Sequence, residues 1–299
     1  MVTSGAGWVR RSRQIAPALF IGPALLVTAI LAIAPTIQLI RASTRAWKLG
    51  QPLAEAKDVG LLNFERLLTG SVPLGHSLEL TLIYAGVALV VELLLGLGIA
   101  LLIDRVLAGR SFVVTVLLIP MILMPAMVGM IWKLYFSQEG LVNWVLSLVH
   151  IPPINWYSID FALPAVIIVD IWQWTPFFIL ILLAGLQALP REPIEAAEVD
   201  GASGWQILHS IKLPLLLPLV LITATLRVMD LFRNFDVVFV MFAGGPGNAT
   251  ETLPIAVYRT TIEQQRPGVG AAYSIILIAM MLLIAWLFIT LLQRYRTEQ

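Results

Sequence analysis

Residues 195–214 read EAAEVDGASGWQILHSIKLP, and the reading of this stretch decides the architecture of the chain. It carries Glu195, Glu198, Asp200, His209 and Lys212, yet strongly apolar runs flank it on both sides. The chain has 299 residues, of which 59% are apolar and only 12% charged. A typical soluble domain has about 25% charged residues. The composition therefore excludes a soluble globular protein and predicts an all-α, polytopic membrane protein. In such a chain a polar, amphipathic segment has little reason to be structured unless something docks on it.

Working outward from that stretch, six apolar segments are long enough to cross a bilayer, which needs about 20 helical residues. They are residues 15–40, 78–103, 112–136, 161–186, 215–239 and 271–292. Each is expected to be a helix, because in lipid every backbone N–H and C=O needs an internal partner. Pro23, Pro35, Pro120, Pro125 and Pro176 lie inside these runs and imply kinks. The chain reads as one transmembrane domain over 1–299, with a tail at 1–14 and a polar loop at 190–214. The run after Arg10, Arg11 and Arg13 resembles a signal peptide only in its charge. It is too long for one and lacks a small-residue cleavage site, so it is expected to be retained as a span.

Basic residues set the expected orientation. With the N-terminus inside, Arg10, Arg11, Arg13, Arg105, Arg110, Arg191, Lys212, Arg294 and Arg296 fall in short inside segments. Arg41, Arg45, Lys48, Lys57, Arg66, Arg259 and Arg266 fall in longer outside ones, with Arg41, Arg45 and Lys48 running against the trend. Both termini and the 190–214 loop then face the cytoplasm. Turn signals such as Gly244-Gly245-Pro246-Gly247-Asn248 mark the outer loops. Those loops are expected to form short interfacial helices, with Trp144, Trp156 and Tyr157 suited to the aromatic belt.

Several function classes drop out. A net charge of +1 with no basic block gives no sign of a nucleic-acid partner. The absence of cysteine removes disulfides and thiolate chemistry, and three scattered histidines make no zinc set. No G-x-x-x-x-G-K-[ST] stretch occurs, so the chain carries no P-loop. The loop has its own local logic. Pro190 and Pro193 end one helix and start the next, and Glu195 and Glu198 sit near that new N-terminus, where carboxylates suit the helix dipole. Ala196 and Ala197 admit a close neighbour, and Gly201 permits a left-handed reversal. Ile207, Leu208 and Ile211 then form an apolar face.

Glu195-Ala196-Ala197, Asp200-Gly201-Ala202 and Ile211-x-Leu213-Pro214 at this spacing resemble the coupling loop, named for its Glu-Ala-Ala motif, of ABC importer permeases. Gly185-Leu186-Gln187-Ala188-Leu189-Pro190 is similar to that family's run into the loop. His76-Ser77-Leu78-x-x-Thr81 resembles the start of its second helix, except that asparagine is usual where His76 stands. Phe232-Arg233-x-Phe235-Asp236 and the stretch from Gly244 to Thr252 resemble the larger permease of carbohydrate importers of the maltose and glycerol-3-phosphate type. In the family an aromatic is common where Leu208 stands.

The resemblance implies a multi-pass permease of a prokaryotic cytoplasmic membrane that carries a sugar, oligosaccharide or polyol. It implies a second, non-identical permease, two ATP-binding subunits and an extracytoplasmic solute-binding protein as partners, with surrounding lipid. ATP and Mg would belong to the ATPase, and this chain would bind no cofactor and hydrolyse nothing. Glu195, Ala196, Ala197, Asp200, Gly201, Leu208, Ile211, Leu213 and Pro214 would meet the ATPase.

Charges inside the spans are costly and mark a cavity or a partner. Asp170, Gln173, Trp174 and Phe177 recur at one helical face, and the resemblance places that helix beside the substrate path. Carboxylates and amides suit hydroxyls and aromatic rings suit sugar faces. The other reading has Asp170 pairing with Arg227 or Arg233 as glue between helices. In the next span Arg227, Asp230, Arg233 and Asn234 share a face, either as a polar lining or as a salt-bridge ladder. Glu92, near Gly96 and Gly98, is expected at a permease–permease contact. Two other functions fit parts of the pattern. An ion-coupled secondary transporter could use Glu92, Asp170 and Asp230 as relays, but leaves the loop unexplained. An intramembrane enzyme lacks a catalytic constellation.

Overall fold

The computed structural model describes residues 5–69, 74–105 and 109–297, with side chains from residue 21 to residue 294. The side chains of Arg10, Arg11, Arg13 and Arg296 thus lie outside the described residues, as do residues 1–4. Among the described residues the protein is a bundle of helices with no β-strand, and one isolated backbone bridge joins Arg45 to Asp58.

The first helix, α1 (Gly5–Ser43), begins ten residues before the expected span, so most of the tail drawn at 1–14 is already helical. Its described side chains, Ile21–Ser43, form an apolar stretch long enough to cross a membrane. A short α2 (Leu62–Leu68) leads to α3 (Leu74–Asp104), a long apolar helix that fills the second expected segment. The third segment departs from expectation. Residues 112–136 do not form one helix but two, α4 (Arg110–Ile122) and α5 (Pro125–Tyr135), bent by 93°. The cause is local. Pro125 has no N–H and drives the preceding residue out of helical angles, and Leu123 and Met124 are extended with ψ of 141° and 131°.

A surface helix, α6 (Leu141–Leu148), then gives way to α7 (Ile159–Gln187), the most buried span. Pro164 and Pro176 are absorbed within it. The polar loop is ordered: α8 (Glu192–Val199) has Pro193 in its first turn, and α9 (Gly204–Ile207) starts at a Ser203–Gln206 capping box. The expected span at 215–239 is corrected at both ends. A π-helical turn over Leu208–Lys212 carries α9 straight into α10 (Leu213–Leu231). That widening relieves the clash a Pro214 ring would make in a tight α-turn. The helix then stops at Leu231, and residues 236–242 form a separate α11 (Asp236–Phe242) packed on α5. After α12 (Leu253–Tyr258) the last span is α13 (Pro267–Thr297).

The core sits where α7 lies against α3, with α4, α10 and α13 around them. Tyr84, Val166, Leu231 and Val238 occupy its centre, and Phe178, Leu182 and Leu216 continue it toward the polar loop. Helix α1 runs along α13 and leaves most of its apolar surface uncovered, as suits a helix facing lipid.

The close approach of α3 and α7 depends on Gly96. A Cβ there would stand 2.4 Å from the Phe178 Cβ, whereas one at Gly98 would meet nothing within 4 Å. Gly96→Ala is therefore expected to cost about 1–3 kcal/mol through overpacking, while Gly98→Ala is neutral or slightly stabilising. Thermal unfolding of both variants in detergent checks the pair. Equal stability would mean that the glycine does not set the helix spacing.

Candidate translocation and coupling sites

The largest wholly buried side chain among the described residues is Arg227, on α10 and 1% exposed. An ionised side chain at that depth needs partners on every donor. Its Nε and Nη2 donate to the two Glu92 oxygens of α3, each at 2.8 Å. Nη2 also meets Asp170 of α7, and Nη1 donates to Asp230 one helical turn on, at 2.6 Å. Trp174 lies beneath the guanidinium, 4.7 Å from ring centroid to Cζ. Asn234 extends the network, donating to Asp170 Oδ1 at 2.9 Å and to the Tyr84 hydroxyl at 2.5 Å. Three spans are thus tied at one point, with three carboxylates around a single guanidinium.

This geometry redistributes the residues singled out in the sequence. Asp170 and Arg227 do pair, as the interhelical reading had it. Glu92 is not at an outer contact; it is wholly buried against Arg227, and the neighbour that Gly96 admits is α7 of the same chain. Gln173 is also buried, and its amide donates to the Leu123 carbonyl at 3.2 Å. That carbonyl stands at the break between α4 and α5, where the α-helical ladder is interrupted, so Gln173 satisfies backbone that lipid could not. Trp174, Phe177, Asn234 and Asp230 remain partly open, and the Asp230 side chain is 45% exposed. Arg233 is exposed and, among the described residues, has no ion-pair partner. The expected ladder therefore stops at Asp230.

The polar loop lies at one end of the bundle. Lys212, 3.8 Å from Asp104, sets the foot of α10 beside the end of α3. Helix α8 buries none of its residues, and Glu195, Ala196, Asp200 and Gly201 are all exposed. Gly201 takes φ +79°, the left-handed turn expected of it, and no Cβ clash forbids it space there. The apolar face is not where the spacing put it. Ile207 is buried, and Leu208, Ile211, Leu213 and Pro214 are only partly open. The apolar surface that faces outward is instead Val199, 88% exposed, and Trp205, 72% exposed. Sequence reasoning missed both, although a tryptophan isolated within a polar loop was a legible signal.

A helical bundle of apolar spans, one of them broken, around a polar core is a membrane-embedded chain. Residues 92–297 match the family described as the inner membrane component of binding-protein-dependent transport systems, and the chain belongs to that family. It is 38% identical to a probable ABC transporter permease protein of Sinorhizobium fredii, over 95% of this chain and 93% of that one. It is 36% identical to the trehalose/maltose transport system permease protein of Thermococcus litoralis, over 77% and 78% of the two chains. Its fold is that of a chain in the crystal structure of a bacterial ABC transporter involved in the import of the acidic polysaccharide alginate. The TM-score is 0.80 at 21% identity, covering 95% of this chain and 99% of the other.

Proposed function

We propose that this chain forms one half of the path by which a sugar, oligosaccharide or polyol crosses the cytoplasmic membrane. The driving ATP hydrolysis would occur on separate subunits that hold the nucleotide and Mg. The observation that carries the coupling is the ordered segment from Glu192 to Ile207, which offers Val199 and Trp205 to a partner from a polar loop. Apolar groups so exposed outside the hydrocarbon mark a docking surface. The substrate class rests on the relatives, whose members include a trehalose/maltose permease.

Within the bundle, Trp174, Phe177, Asp230, Arg233 and Asn234 are the open groups suited to a polyhydroxylated solute, while Asp170 and Gln173 brace them from behind. The partners are a second, non-identical permease, two ATPase subunits and a solute-binding protein, with both termini and the 190–214 loop in the cytoplasm. An ion-coupled mechanism is less well supported. Its buried carboxylates Glu92 and Asp170 are clamped by Arg227 and have no water-facing surface.

The chain has no native thiol, so Ser203→Cys gives one label site in the loop. It should react with an impermeant maleimide only from the cytoplasmic face of inverted vesicles. In right-side-out vesicles, the same chain with its ATPase should take up labelled disaccharide only with ATP inside. Labelling from outside intact cells, or uptake that follows an ion gradient without ATP, defeats the proposal.

A further inference from the structure

At the end of the bundle opposite the polar loop, the short segment after α1, helix α2 and the turn before α13 enclose a cavity of about 380 Å³. Arg45, Trp47, Lys48, Asn63, Arg66 and Arg266 line it, and no carboxylate does. Four cationic side chains from three elements thus converge on one opening. Among the described residues no salt bridge engages Arg45, Lys48 or Arg266. The scaffold is built rather than accidental. Arg45 Nη1 donates to the carbonyls of Leu53 and Ala54 at 3.0 and 3.1 Å. Buried Asn63 donates to the carbonyls of Ser43 and Arg45 at 2.8 and 2.9 Å.

The geometry points to a binding site for the phosphodiester headgroup of an anionic phospholipid. Arg45, Lys48 and Arg266, gathered at an opening with no carboxylate in its lining, favour an anion, and guanidinium groups suit phosphate oxygens. The depth favours a lipid over a free solute. The cavity stands where two apolar spans, Ile21–Ser43 and the one starting at Pro267, reach their ends. The uncovered hydrocarbon of Ile33, Ile37 and Ile40 on α1 leads up to it. Of the basic residues against the orientation trend, Arg45 and Lys48 then have a reason to be there. This inference is independent of the transported substrate.

The test uses the full chain in nanodiscs of phosphatidylcholine with about one-fifth phosphatidylglycerol, read by native mass spectrometry after gentle release. Wild type should retain phosphatidylglycerol in preference to phosphatidylcholine. Lys48→Gln with Arg266→Gln removes two exposed charges that hold no fold contact. It should lower that retention roughly twentyfold, since each basic residue near a membrane surface contributes about fivefold. Lys48→Arg should retain the lipid, and so should Arg110→Gln at the other end of the bundle. Equal retention by wild type and the double variant overturns the site. If millimolar inorganic phosphate displaces phosphatidylglycerol as fast as excess anionic vesicles do, the pocket takes free phosphate and the lipid assignment fails. If an acidic peptide displaces it at lower concentration than the lipid, the pocket is a protein contact and the assignment fails equally.

Discussion

Arg227→Met is expected to destabilise the folded bundle by about 3–5 kcal/mol, the range for breaking a buried ion pair from one side. The loss does not come from a missing attraction alone. Glu92 and Asp170 are both wholly buried, and without Arg227 they are charges, or half-bonded acids, in a place that water does not reach. Detergent-solubilised yield and thermal unfolding should both fall. Asp170→Asn should cost less, about 1.5–3 kcal/mol, because Glu92 still holds the guanidinium through two bonds. Combining Arg227→Met with Glu92→Gln and Asp170→Asn should recover most of the loss, since uncharged groups of similar shape can replace a buried ion cluster at little cost. If Arg227→Met unfolds with the wild type, the three spans are held by packing alone. If Asp170→Asn keeps full stability and weakens the substrate response instead, Asp170 belongs to the path and not to the brace.

That network also shows which parts of the protein could be read from the sequence. Spans α3, α7 and α13 were legible because hydrocarbon runs of that length admit only a helix. Asp170 facing Arg227 was one of two open pairings, and choosing between them needed the fold, because the two residues lie 57 positions apart. Glu92 was harder still. It stands alone among apolar neighbours in the middle of α3, well away from Glu79 and Asp104, and its partner is 135 residues away, so no local pattern named it. The break after α4 was half legible. Pro120 and Pro125 announced a kink, but the 93° turn follows from both Leu123 and Met124 going extended. The span drawn at 215–239 erred because the run was taken to start after Pro214 and to continue through Phe232 to Phe239. The π turn carries the helix through the first, and the polar Arg233-Asn234 step ends it before the second. Val199 and Trp205 follow no helical period of apolar residues, which is why they went unnoticed, while Ile207, grouped with Leu208 and Ile211 in one apolar face, is buried.

Trp205→Ala is expected to weaken association with the ATPase by roughly thirtyfold, the equivalent of about 2 kcal/mol for an aromatic hot spot. The argument turns on what the side chain touches now. At 72% exposure it contributes little to the fold of this chain, so its removal should leave stability within about 0.5 kcal/mol of wild type. Insertion and yield should hold while ATP-dependent uptake falls. Val199→Ala removes a smaller group from the same surface and should have a lesser effect in the same direction. Gly201→Val acts differently. It forces a β-branched residue into φ +79°, at about 1–2 kcal/mol, and so displaces α8 relative to α9 without deleting any contact atom. Glu195→Lys would set a cation against the N-terminal half of α8, where the helix dipole favours the carboxylate. If the loop is a docking element, all four changes lower ATPase co-purification and uptake together, with Trp205→Ala leading. If Trp205→Ala transports at the wild-type rate with its ATPase still bound, then the exposed tryptophan serves some other contact. The coupling surface would in that case have to be sought among Leu208, Ile211 and the foot of α10.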